Sequence, residues 1–117
     1  METKNALAAL AAVAQESRLA VFRLLVQAGP GGMPATGIAE QLGIAPSSLS
    51  FHLKHLAHAN LVIQKHEGRF IIYSANFETM NALLGFLSEN CCGGAPCGPA
   101  ACAAPAADMV ATDTVSP

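Results

Sequence analysis

The hydrophobic period of this chain changes at Leu61, and that change limits what it can fold into more than any other feature. Up to Ala59, apolar residues recur at helical spacing over about Glu2 to Ala14, Gln15 to Ala28, Thr36 to Leu42 and Pro46 to Ala59. From Leu61, two β-rich runs, Leu61-Val62-Ile63-Gln64-Lys65 and Phe70-Ile71-Ile72-Tyr73-Ser74, flank His66-Glu67-Gly68-Arg69. Branched and aromatic residues on either side of a glycine-containing link predict a hairpin. A last helix is predicted from about Phe77 to Glu89, with Met80, Leu83, Leu84 and Leu87 on one face. The fold class is mainly α with a β-hairpin, in the order α-α-α-α-β-β-α.

Inside this frame the apolar residues predict the core. The first helix places Leu7, Leu10 and Val13 or Ala14 at helical spacing and contains no breaker. The second is expected to turn Leu19, Phe22, Leu25 and Val26 inward and Arg18 and Arg23 outward, ending at Gly29-Pro30-Gly31-Gly32. With 117 residues, 52% of them apolar and 12% charged, the chain has room for one compact domain and a tail. The expected division is residues 1–92 for the domain and 93–117 for a flexible tail of Gly, Ala and Pro with scattered polar residues.

Ala6 to Ala14 is apolar and ends in Ala-Val-Ala, which imitates a signal-peptidase site. Lys4 offset by Glu2 is a weak basic start, and Glu16 to Val26 continues as an amphipathic helix, so secretion is not expected. No run reaches the ~18 apolar residues of a membrane span. A cytoplasmic protein with no membrane partner is expected, its cysteines reduced.

The spacing Ala39-x3-Gly43-x5-Leu49 has a mechanical reason. A helix-turn-helix needs a small residue where its first helix meets its second, a glycine-tolerant turn, and an apolar anchor on the second helix. Leu49, Leu53 and Leu56 would face the core, while Ser47, Ser48, Ser50, Phe51, His52 and Lys54 occupy outer and flanking positions. The net charge of −2 is no global basic signal, but the charge is uneven. From Phe51 to Tyr73 the chain carries Lys54, Lys65 and Arg69 against Glu67 alone, whereas beyond Arg69 it carries only acidic residues among its charges. A hairpin with Arg69 at its tip can lie over the adjacent minor groove, so helix pair and hairpin together predict a winged helix-turn-helix.

The stretches Ile38-Ala39-Glu40-Gln41-Leu42-Gly43, Pro46 to Leu56, Ala59-Asn60-Leu61-Val62 and Glu67 to Tyr73 resemble the ArsR/SmtB family of bacterial metal-responsive transcriptional repressors. The resemblance covers about residues 5 to 90. It implies a homodimer, paired mainly through its first and last helices, that occupies operator DNA until its ligand arrives. Two departures stand out. The family often has an Arg where Phe51 stands, and the Cys-x-Cys of its best-known arsenic site is absent, because Met33 to Gly37 contains no thiol.

All the cysteines lie close together: Cys91, Cys92, Cys97 and Cys102. Trivalent arsenic is soft and takes three thiolates in a pyramid around its lone pair. Cys91 and Cys92 can supply two, and Cys97 or Cys102 a third, since the chain between them is rich in Gly and Pro. Some family members are similar in using a vicinal cysteine pair after the last helix. The expected inducer is therefore As(III) or Sb(III), with no organic cofactor. A four-thiolate zinc or cadmium site is the alternative, and a thiol redox switch is a further one. The family's usual zinc site on the last helix needs His, and Phe77 to Asn90 has none.

An enzyme is not expected. Cys91 follows a helix C-terminus beside Glu89, and both disfavour the thiolate that a nucleophile needs. His52, His55 and His58 are three apart, but they lie on or beside the DNA-reading helix and none is assigned to metal.

Overall fold

A computed structural model describes residues 1–94, so the expected tail beyond Gly94, with Cys97 and Cys102, lies outside the described residues. The elements are α1 (Thr3–Val13), α2 (Glu16–Ala28), β1 (Met33–Pro34), α3 (Ala35–Leu42), α4 (Pro46–His58), β2 (Val62–Glu67), β3 (Phe70–Ala75), α5 (Phe77–Leu87) and a 3₁₀ turn (Cys91–Gly94). The chain divides into two compact units, Met1–Leu83 and Leu84–Pro117.

In the first unit α2, α3 and α4 enclose the core. Val21 and Leu25 from α2, Ile38 from α3 and Leu49, Leu53 and Leu56 from α4 are buried against Leu61, Val62 and Ala75 at the base of the hairpin. The α4 stripe is as its spacing predicts.

The first helix forms where its spacing predicts, and it packs through its alanines. It buries Ala6, Ala9 and Ala12, leaving Leu7 60% and Leu10 37% exposed. Alanine is what lets α1 sit close: Ala9 and Ala12 join the core cluster that α2 and α4 build, with little room for a larger side chain. Val13 is half-buried against the same core. In α2, Leu19 is likewise turned out at 43% exposure, and Val21 takes the inward place. Arg18, expected outward, is half-buried, and its Nε donates to the Ala12 carbonyl. That bond satisfies one of the carbonyls the end of α1 leaves open. Gln15 caps α2 through its Oε1, which accepts from the Arg18 N–H at 2.8 Å.

The turn between α3 and α4 depends on Gly43, whose φ of 66° and ψ of 34° are left-handed. Its N–H and that of Ile44 both return to the Ala39 carbonyl, which closes α3 and redirects the chain into Pro46 at the head of α4.

The hairpin pairs Val62 with Ala75 through to Glu67 with Phe70. Gly68, at φ 63°, takes the first central place of the two-residue link, the place a type II′ loop reserves for glycine. Only the base of the hairpin is buried, so it projects as a wing. A third strand was not legible in the sequence: β1 pairs Met33 with Tyr73 and Pro34 with Ile72, giving the order β1-β3-β2. Pro34 is tolerated because β1 is an edge strand.

The last helix begins at Phe77, where Asn76 Oδ1 accepts from the Thr79 N–H at 3.3 Å. It ends at Leu87 rather than Glu89 and has no fully buried residue. Leu83 packs on the core as a half-buried residue, and Met80 is also half-buried. In the second unit Leu84 and Leu87 are exposed.

Candidate nucleic-acid interface and thiol cluster

On α4, core packing decides what remains for solvent. With Leu49, Leu53 and Leu56 turned inward, Ser47, Ser48, Ser50, Phe51 and Lys54 are exposed. His52 is half-buried, and its Nδ1 is shut off from solvent with no hydrogen-bond partner. Phe51 meets the ring of His55 edge to face, with centroids 4.4 Å apart at 73°, and His52 at 6.1 Å and 61°.

Lys65 on β2 and Arg69 in the link of the hairpin are exposed, as expected for a basic wing. Within the described residues, Lys54, Lys65 and Arg69 have no carboxylate partner. Three unpaired cations on one helix and one hairpin, beside short hydroxyls, suit phosphate oxygens and base edges. Two residues that sequence reasoning missed, Gln64 and Tyr73, join Ser50, Lys54 and His58 in lining a cleft of about 440 Å³ between α4 and the hairpin. Their alternation along the two strands was the available signal, because Gln64 and Tyr73 are register partners.

At the thiol cluster, Asn90 at φ 58° turns the chain out of the helical direction into the Cys91–Gly94 turn. The Cys91 N–H donates to the Ser88 carbonyl at 3.0 Å and the Gly93 N–H to the Asn90 carbonyl at 3.1 Å. Cys91 is disulfide-bonded, whereas reduced thiols were expected. A sulfur held in a disulfide is no ligand, so a thiolate site at Cys91 requires reduction first. Among the described residues no three His, Cys, Asp or Glu side chains come together to hold a metal ion. No helix among them is long and apolar enough to cross a membrane.

Helix, glycine turn, second helix and basic hairpin define a winged helix-turn-helix DNA-binding protein. A helix-turn-helix domain family matches residues 13–64. The chain is 35% identical over 81 residues to the arsenical resistance operon repressor of Bacillus subtilis, spanning 69% of this chain and 73% of that one. Among solved structures, NolR from Sinorhizobium fredii superposes with a TM-score of 0.59 at 32% identity, over 80% of this chain and 88% of that one. The homodimeric winged helix-turn-helix domain Mb0332 from Mycobacterium bovis has the same fold, with a TM-score of 0.60 at 23% identity over 74% of this chain and 81% of that one. The chain belongs to the ArsR family of transcriptional repressors, which are DNA-binding regulators and not enzymes.

Proposed function

We propose that this protein is an arsenite- and antimonite-responsive repressor, which binds operator DNA as a homodimer and is released when As(III) or Sb(III) is captured by its cysteine thiolates. Residues 1–92 serve DNA binding and dimerisation, and 93–117 carry the remaining ligands, in a cytoplasmic protein. The observation that carries this reading is the vicinal pair Cys91-Cys92 in a tight turn just beyond α5, with Cys97 and Cys102 following in the sequence. Two sulfurs on adjacent residues and a third from Cys97 or Cys102 meet the three-thiolate demand of a soft trivalent ion. Similarity to an arsenical resistance repressor supports the same inducer.

The DNA contacts are Ser47, Ser48, Ser50, Phe51, His52 and Lys54 from α4, with Lys65 and Arg69 from the wing. Each unit has exposed leucines that a partner copy would cover, Leu7 and Leu10 on α1 in the first and Leu84 and Leu87 on α5 in the second. A ligand bound next to the end of α5 acts at a dimer-forming element. There it can alter the spacing of two recognition helices that must meet half-sites about 34 Å apart. Tenfold loss of operator affinity needs only about 1.4 kcal/mol of differential ligand binding.

One observation favours a second reading, a thiol redox switch: the disulfide at Cys91. A mobility-shift titration separates the possibilities. Operator complex formed by reduced protein is expected to dissociate with arsenite or antimonite, and not with zinc, cadmium or an oxidant alone. The Cys91→Ser/Cys92→Ser double variant should bind DNA normally and ignore arsenite. Release by arsenite that persisted in this variant would sink the proposal, and release by the oxidant alone would replace it with the redox switch.

A further inference from the structure

Phe51 is the one large apolar side chain on the outer face of the recognition helix. A step of about 100° per residue places it between Ser47 and Ser48 in helical angle and nearly opposite the buried Leu49, Leu53 and Leu56. It is 58% exposed and has no place in the core cluster. Single exposed apolar residues are common on protein surfaces and by themselves mean nothing. This one differs in being held. Its ring meets the edge of His55 at 4.4 Å, with His52 on another side at 6.1 Å, a geometry that aromatic rings favour. A side chain already oriented loses less freedom when it enters an interface.

The chemistry of that side chain restricts what it can read. Phenylalanine has no hydrogen-bond donor or acceptor, so it cannot recognise the donor and acceptor edges of guanine, adenine or cytosine. The apolar group that base pairs present in the major groove is the 5-methyl of thymine. We propose that Phe51 sets part of the operator sequence by packing its ring against the 5-methyl group of a thymine, with His55 holding the ring in position. The inference rests on the DNA-binding reading above and adds the base group that one of its residues selects.

The test begins with the full-length reduced protein and a duplex enriched from a random-sequence pool. Each thymine is then replaced in turn by deoxyuridine, which removes the methyl and nothing else. Removing one methyl that packs on Phe51 should weaken binding about fourfold, at one thymine in each half-site, with little change elsewhere. Phe51→Ala should bind the parent duplex more weakly and no longer distinguish thymine from deoxyuridine at that place. Phe51→Leu, which keeps an apolar surface, should retain part of the preference, and His55→Ala should lose part of it. Unchanged thermal melting of each variant excludes unfolding as the cause. Enrichment of a duplex that is then indifferent to every thymine replacement overturns the proposal alone, as does a thymine preference that survives intact in Phe51→Ala. Failure to enrich any duplex overturns the DNA-binding reading together with it.

Discussion

The two ends of this molecule are specified by different physics. In Met1–Leu83, the outward side chains of α4 are placed by what their neighbours bury: Leu49, Leu53 and Leu56 go inward, and Ser47, Ser48 and Phe51 are left exposed. In the cysteine-bearing end, the informative property is elemental, four sulfurs within residues 91–102. Packing makes the first region intolerant of small changes in volume or backbone angle. On the proposed reading, thiol chemistry makes the second sensitive to redox state and to soft ions. Such a repressor, on that reading, reads DNA with one region and receives its chemical input at the other.

The largest effects should therefore fall in the packed region. Leu56→Ala, at a fully buried position, is expected to cost about 2–5 kcal/mol in denaturant titration. That is a large share of the stability of a small domain. A loss below about 1 kcal/mol would show that the helical core is looser than its burial implies. Next come two glycines with similar backbone angles and different surroundings. Gly32, at φ 73°, would drive a Cβ into the Tyr73 carbonyl on β3, whereas Gly43, at φ 66°, has open space around it. Gly32→Ala should cost about 3 kcal/mol, from strain plus overpacking against backbone, and Gly43→Ala about 1 kcal/mol, from strain alone. Equal costs would mean that β1 can move away from β3 at little expense.

The same contrast explains what could be read from the sequence. The helix-turn-helix was legible because Ala39, Gly43 and Leu49 each have one mechanical job, and the structure places all of them as expected. The hairpin was legible from its change of period and from Gly68. The face of α1 was not. Leu7 and Leu10 mark the helical spacing, which does not say which face is buried, and Ala6, Ala9 and Ala12 are the residues small enough for close approach. An apolar stripe that must meet a partner copy has the same composition as one that meets its own core, so a single chain cannot separate them by hydrophobicity. β1 escaped notice because two residues carry no periodicity, and its pairing is a property of Tyr73 and Ile72 as much as of Met33 and Pro34. At the thiol end, the four sulfurs point to a soft ion, which is the inducer proposed. The disulfide at Cys91 was not legible, since oxidation depends on which sulfurs the fold brings together.

A smaller effect tests whether the wing belongs to the DNA-reading region. Arg69 sits in the two-residue link and has no ion-pair partner within the described residues, so removing it should cost the fold little. Arg69→Ala should leave the melting temperature unchanged and lower the slope of log K against log salt by about 1, as expected when one DNA phosphate is no longer neutralised by the protein. Cys91→Ser should leave that slope alone. A slope that fell for the cysteine variant and held for the arginine variant would reverse the assignment of the two regions.

The smallest expected effect is a null one, and it bears most directly on the contrast. Every cysteine follows Asn90, whereas the core cluster and the residues packed on it end at Leu83. Whichever cysteine shares the disulfide with Cys91, the loop it closes lies within residues 91–102 and ties down no element of the core. Closing a loop of about 15 residues can be worth about 3 kcal/mol, but that entropy belongs to the segment that is closed. Adding a reductant should thus move the main melting transition by less than about 1 °C, while changing the response of the DNA complex to arsenite from absent to present. A drop of several degrees would show that the disulfide is coupled to folding of the DNA-binding unit. The cysteines would then control DNA binding through stability, and the redox switch would become the stronger account of their role.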